Sequence, residues 1–297
     1  MSKELKETLL KAIQGKREKL SVSSAKTYIS LLSTMMKKLK FESIKDLEKE
    51  EEILEYINEI ESLQTKKTLL SAIFIITEND NLRKIMIDLA NKSNAMYKEN
   101  NVSEKRKEQY KYVTEANIKE IYESKAYALK KSPSSHNYVQ YLITAVCSGV
   151  LFPVRRLEWV YVKMKNFNPE TDNYVDFKKK QFVFNIYKTV KTHGRQIVPI
   201  DASLMKVLKA WLKINENDYM LIKQNGKPYT PSDLSKELLE IFGAGIDILR
   251  SVYVNKVYGD TLPKLQQLEN IATQMGHSVN SAMTFYRKPD INKDTNT

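Results

Sequence analysis

Cysteine is almost missing from this chain. Cys147 stands alone, which excludes an internal disulfide and a cysteine-based zinc site. Histidine is nearly as scarce: His136, His193 and His277 are the only three, and none has metal-ligand spacing, so no metal is expected. No apolar run approaches the roughly 20 residues that a membrane helix needs, so no membrane association is expected. The opening Met1-Ser2-Lys3-Glu4-Leu5-Lys6 runs straight into a charged helical pattern and does not read as a signal peptide. The expected setting is intracellular and soluble, and one lone thiol fits reducing surroundings. Glycine is also sparse, with 8 in 297 residues. Together with many Lys and Asn, this hints at an AT-rich genome.

Acidic side chains are too few to balance the basic ones, and the formal net charge is +12. The imbalance is uneven. Residues 1–110 carry 21 Lys+Arg against 18 Asp+Glu, whereas residues 111–297 carry 27 against 18. A polyanionic partner therefore suits the second part, nucleic acid first, with a merely basic soluble protein as the alternative.

What is abundant is helical patterning. Ser21 or Ser23 can cap a helix in which Tyr28, Leu31, Leu32, Met35, Met36 and Leu39 recur on one face. Further stripes run through Ile53, Tyr56, Ile57 and Ile60, then through Leu69, Leu70, Ile73 and Ile76, and more weakly from Leu82 to Met96. The acidic run Glu48-Lys49-Glu50-Glu51-Glu52 suits a solvated helix start. A polar stretch follows between Asn91 and Tyr112, and residues 101–112 are assigned as a linker. The expected division is a helical unit over 1–100 and a second unit over 113–297. In the second unit, Thr114 caps one helix and another spans about His136 to Leu151. The period then changes: Asn173 to Phe177, Gln181 to Tyr187 and Gln196 to Ile200 read as strands, with turns at Lys178-Lys179-Lys180 and Thr192-His193-Gly194. Helix resumes from Ser203. The fold class expected is mainly α with a small antiparallel β-sheet (α+β). There is no internal repeat and no low-complexity segment.

Three basic positions and one tyrosine carry candidate chemistry. Arg155 and Arg156 sit in Phe152-Pro153-Val154-Arg155-Arg156-Leu157-Glu158-Trp159, too apolar a stretch for an arginine without a partner. Either Arg155 pairs with Glu158 to hold two helices, or its guanidinium grips two phosphate oxygens. Lys188 and Lys191 lie near the second hairpin tip, which is either a solvated turn or an ammonium held over a bound backbone. Arg250 is another charge among apolar neighbours. In the last motif, Gly276-His277 ends a helix, Ser278 caps the next, and Thr284 and Tyr286 lie near its far end.

The order Gly-His, Thr two before Tyr, and Tyr nine after His resembles the C-terminal box of the tyrosine recombinase (phage integrase) family. Ser148-Gly149 followed by Arg155-Arg156-Leu157-Glu158 is similar to its first arginine box, with a longer gap, and places Arg155 on the active arginine with Arg156 as fallback. The family's hairpin lysine lies nine residues before the end of a Val-Pro-Leu-like strand. Lys191 stands nine before Ile200 in Val198-Pro199-Ile200, and Lys188 is the weaker match. Arg250 matches the second arginine box, but Asp247 stands where most members have histidine. The N-terminal half resembles the family's helical core-binding domain in pattern only, and residues 113–297 its catalytic domain.

The resemblance implies an enzyme, a DNA strand transferase that integrates, excises or resolves a viral or other mobile genome. Tyr286 would attack a phosphodiester to give a 3′-phosphotyrosyl link. Arg155 and Arg250 would hold the nonbridging oxygens, Lys191 would protonate the leaving 5′-oxygen, and His277 would hydrogen-bond the phosphate. No cofactor is implied: ATP is not needed because the covalent intermediate conserves the bond energy, and the family's chemistry calls for no metal, in keeping with the lack of a ligand cluster in the sequence. The partners implied are double-stranded DNA and further copies of the chain, four protomers clamped around two duplexes in the host cell or nucleus where the target lies. Eleven residues after Tyr286 leave little tail for exchange between protomers. A type IB topoisomerase or telomere resolvase would use similar residues. Asp247 keeps open a catalytically impaired DNA-binding relative, and a helical scaffold with no DNA affinity is the third alternative.

Overall fold

A computed structural model describes residues 2–18, 20–98 and 104–281. The chain divides into two compact units, Met1–Ser103 and Glu104–Thr297. Among the described residues no helix is long and apolar enough to cross a membrane.

The first unit is helical: α1 (Lys3–Lys16), α2 (Val22–Leu39), α3 (Glu50–Glu59), α4 (Leu63–Thr77) and α5 (Asp80–Lys98). Ser2, Ser21 and Ser62 each accept a backbone N–H of the first turn of their helix, which starts α1, α2 and α4. Lys40 and Glu78 adopt the left-handed conformation and end α2 and α4. Inside, Leu32, Met35, Met36, Ile53, Ile57, Leu69, Leu70, Ile73 and Leu82, from the stripes visible in the sequence, form one core with Leu9 and Ile13 of α1, which no such stripe had marked. Each fully buried aliphatic side chain contributes on the order of 1.5–3 kcal/mol. Glu50, in the acidic run, accepts from Asn79 and Asn81 at the start of α5, and these bonds hold its carboxyl below the ordinary value.

The second unit opens with α6 (Glu104–Tyr112), α7 (Glu115–Lys131) and α8 (Ser135–Cys147). The stretch assigned to a linker is thus largely helical. It contains no proline or glycine, and Tyr110 and Val113 anchor it in the second core. Helix α8 stops at Cys147 rather than Leu151, because Gly149 turns the chain at φ +82°. After a 3₁₀ turn (Leu157–Tyr161) comes a four-stranded sheet in the order β1 (Val162–Lys163), β2 (Asn173–Asp176), β3 (Gln181–Phe184), β4 (Gln196–Pro199). The three strands read from the sequence are antiparallel, with Val175 opposite Phe182 and Val183 opposite Ile197. The sheet is nevertheless mixed, since β1, only two residues long, pairs parallel with β2 through Val162 and Asn173. A two-residue strand has no readable periodicity.

The connection between β3 and β4 carries a helical turn, α9 (Val190–His193), where a plain hairpin turn was expected. Helices α10 (Ala202–Ile214), α11 (Pro231–Phe242), α12 (Ile246–Tyr258), α13 (Leu262–Gln274) and α14 (Val279–Ser281) follow. Trp159 is fully buried among Phe152, Phe182 and Phe184, edge-on to the last two at 5.0 Å between ring centres. Trp211 stacks on Tyr138 and donates to the Met220 carbonyl. The fold is α+β, mainly helical around a small sheet.

Candidate active site

Arg155 follows the tight turn Ser148–Val154 and precedes the 3₁₀ turn. Its side chain is 15% exposed and that of Glu158 10%. Nε and Nη2 both reach Glu158 Oε1 at 3.1 Å, and Nη1 lies 3.4 Å from Gln196 Oε1 at the start of β4. The guanidinium lies over the Phe184 ring, 4.1 Å from its centre, and 5.2 Å from that of Tyr187. The ion pair expected as one alternative is present, but within one segment rather than between two helices. It does not use up the side chain. Five N–H groups are available to a guanidinium, and one on Nη1 and one on Nη2 have no acceptor among the described residues. Arg155 is therefore pinned along one edge and able to donate along the other, while Arg156 is exposed.

Lys191 sits on α9, exposed, with no acceptor for Nζ among the described residues. Its loop, residues 185–195, is braced at both ends. Tyr187 Oη donates to the Gly194 carbonyl, and Arg195 Nε donates to Asn185 Oδ1 at 2.9 Å. Asn185 in turn donates to the carbonyls of Asp172 (2.7 Å) and Pro169 (2.9 Å). Because Tyr187 also lies beside the Arg155 guanidinium, Arg155 adjoins the root of the Lys191 loop. Lys188, in the same loop, is exposed.

Arg250 is half-buried on α12 and has no carboxylate or other acceptor among the described residues, although Asp247 stands one turn before it. Asp247 is exposed in the first turn, where a carboxylate suits the positive helix end. Tyr253, one turn after Arg250, packs on Gly149. A Cβ built there would stand 2.7 Å from Tyr253 Cδ2 and 2.9 Å from Val154 Cγ2. Glycine is thus required twice, for its backbone angle and for its missing side chain, and it seats the Arg250 helix against the turn that leads to Arg155.

His277 follows the glycine that ends α13. Gly276 is at φ +75°, the His277 N–H bonds the Ala272 carbonyl and the Gly276 N–H that of Thr273, the paired bonds of a Schellman end. His277 Nδ1 lies 3.2 Å from the Ser278 carbonyl. The described contacts of His277 are thus local to the helix end. Tyr286 and Thr284 lie outside the described residues.

The structure therefore joins Arg155 to the Lys191 loop, and the Arg250 helix to the turn before Arg155. A cleft of about 620 Å³ lined by His136, Gln140, Tyr229, Glu237 and Glu240 lies elsewhere in the unit, and none of Arg155, Lys191, Arg250 and His277 lines it. Among the described residues no group of three or more His, Cys, Asp and Glu side chains could hold a metal ion. Burial, with the nearby Glu158 carboxylate, pushes the Cys147 thiol up, which disfavours the thiolate.

No protein-family profile matches the chain, and no curated protein matches it. Among solved structures it is similar to a crystal structure of XerA recombinase. The identity is 15%, 97% of this chain and 94% of that one are covered, and the TM-score is 0.34. At that score the likeness does not speak for function.

Sequence reasoning missed the groups that hold the candidate residues: Phe184, Tyr187 and Gln196 around Arg155, and Asn173 below the loop. Asn173 is fully buried, yet in the sequence it is one polar residue before Tyr174-Val175-Asp176-Phe177. Nothing local marks it.

Proposed function

We propose that this chain is a DNA strand transferase of the tyrosine recombinase kind, acting on double-stranded DNA as an assembly of several copies, in the traffic of a viral or other mobile genome. The observation that carries the reading is the state of Arg155, a guanidinium locked by Glu158 and Phe184 with donors left over. It heads the order Arg155, Lys191, Arg250, His277, Tyr286. A locked fork of this kind suits two phosphate oxygens, and Arg250, half-buried with no carboxylate partner among the described residues, supplies a second positive group.

In this mechanism the Tyr286 oxygen attacks the scissile phosphorus and forms the O–P bond, with the two arginines stabilising the added negative charge and His277 donating a hydrogen bond. The P–O5′ bond breaks and its electron pair leaves on the 5′-oxygen, which takes a proton from the Lys191 ammonium. Free tyrosine ionises near pH 10, so the positive field of the arginines must ease loss of its proton to water. Reversal on a new 5′-hydroxyl reseals the strand with no energy source beyond the phosphotyrosyl bond.

The test is a pool of nicked duplexes with randomised cores, incubated with the full chain and then denatured, so that covalent protein–DNA adducts can be recovered and sequenced. The wild type should yield adducts that share a site, and Tyr286→Phe none. A wild type without adducts, or a Tyr286→Phe variant that still forms them, overturns the reading. Asp247 favours a second one, a relative that binds DNA without cutting it, for which the same pool gives enrichment under native conditions and no adducts.

A further inference from the structure

We infer that Asn173 is a positioning residue for Lys191, an inference that rests on the strand-transfer reading. Asn173 is wholly buried at the first position of β2. Its side chain has two donor and two acceptor positions, and all four are filled, every one by main chain. Oδ1 accepts from the N–H groups of Asn185 (2.8 Å) and Ile186 (2.7 Å), and Nδ2 donates to the carbonyls of Ile186 (2.8 Å) and Glu158 (3.5 Å). A buried amide so saturated has one orientation only, because any rotation leaves polar groups unpaired away from water.

The partners are what make this more than the end of a sheet. The β2–β3 ladder ends at the pair Tyr174–Val183 and strand β3 at Phe184, and beyond them the Asn173 side chain takes over by binding Asn185 and Ile186, the two residues that launch the loop bearing Lys191. Its remaining bond is to the carbonyl of Glu158, whose carboxylate pins Arg155. One side chain thus ties the seat of the phosphate-gripping arginine to the base of the loop that carries the proton donor. Lys191 itself is exposed, and its ammonium has no acceptor among the described residues, so its place depends on the loop's two ends. The far end is closed by Tyr187 and Arg195 on Gly194 and Asn185, and Asn185 binds the carbonyl of Asp172, the neighbour of Asn173. Freed at its root, the loop would let the ammonium wander from the 5′-oxygen, and a misplacement of about 1 Å can cost about a hundredfold in rate.

A leaving group that needs no proton separates positioning from general damage. The duplex selected above is made with the ordinary 5′-oxygen and with sulfur in its place at the scissile bond. A thiol ionises near pH 8.5, so the thiolate departs without an acid. Lys191→Ala should be slow on oxygen and normal on sulfur. Asn173→Ala should show the same pattern, about a hundredfold slower on oxygen, as for a displaced catalytic group, and at the wild-type rate on sulfur. Should Asn173→Ala fail to fold, Asn185→Ala loosens the same root from an uncharged, half-buried position and should show the same selective loss. If Lys191→Ala is selective but the asparagine variants are slowed equally on both duplexes, or on neither, the inference is overturned and the reading stands. If the wild type attacks neither duplex, the reading itself falls, and the inference with it.

Discussion

Gly149 shows how much one residue can decide here. In the sequence it is part of a small-residue pair before an arginine box, and its spacing to Arg155 was longer than the resemblance implies. In the structure the extra residues form the turn that ends α8, and Gly149 lets Tyr253 lie against that turn. Gly149→Ala should therefore destabilise the second unit by the left-handed backbone cost of about 1–2 kcal/mol, and further by the overlap with Tyr253 and Val154. Thermal unfolding of the full chain reads this. Combined with Tyr253→Ala, the total should be less than the sum of the two single effects, since the overlap is relieved. A neutral Gly149→Ala would mean that α12 is not seated as described. Arg155 was legible at the same scale, because an arginine among apolar residues asks for a partner. Its pairing with Glu158 was one of the two readings the sequence offered, but the aromatic ring beneath it and the Gln196 contact were not legible, since Phe184 and Gln196 arrive from β3 and β4.

Helices were readable where an apolar stripe repeats, as in α2 and α4, and two starts, at Ser21 and Thr114, were readable from a capping residue, whereas the Ser62 cap of α4 was not. Readability failed where the deciding contact is distant. Helix α6 looked like a linker because its nine residues are mostly charged, and among the described residues Tyr110, with Val113 just after the helix, ties it to a core. Strand β3 was expected to run to Tyr187 but ends at Phe184, since a buried side chain of β2 replaces the ladder. One element offers a pH test. Asp46 closes the 3₁₀ turn Ile44–Glu48 before α3, accepting from the Ser43 and Glu42 N–H groups and pairing with Lys49, which lowers its pKa from 3.8 to about 2. The unfolded chain then binds more protons than the folded one between these values, so stability rises with pH across that window. The contribution is fully present above about pH 4 and is lost as pH falls through 2. Acid titration followed by circular dichroism should show a shallower pH dependence for Asp46→Asn over this window. An unchanged slope would assign the cap no role.

At the scale of the whole molecule, the charge imbalance makes a solution prediction. If the chain binds DNA through phosphates, the logarithm of its affinity should fall linearly with that of salt concentration, by about 0.9 per phosphate neutralised on duplex DNA. Fluorescence anisotropy with a labelled duplex at several salt concentrations gives the slope. An affinity flat with salt, or none at low salt, would support the scaffold alternative. The sequence by itself determined the helical character of the first unit, the mixed character of the second and the order of the candidate residues. It could do so because amphipathic periodicity, caps and motif spacing are local properties of a chain. Only the tertiary structure decided which edge of Arg155 is occupied, that Arg250 has no carboxylate among the described residues and that Asn173 joins the Arg155 seat to the Lys191 loop. The first and last of these depend on groups 15 to 41 residues apart meeting in the fold, as Glu158 with Asn173 and Arg155 with Gln196 do. No local pattern encodes which distant partner satisfies a buried polar group. Packing chooses it.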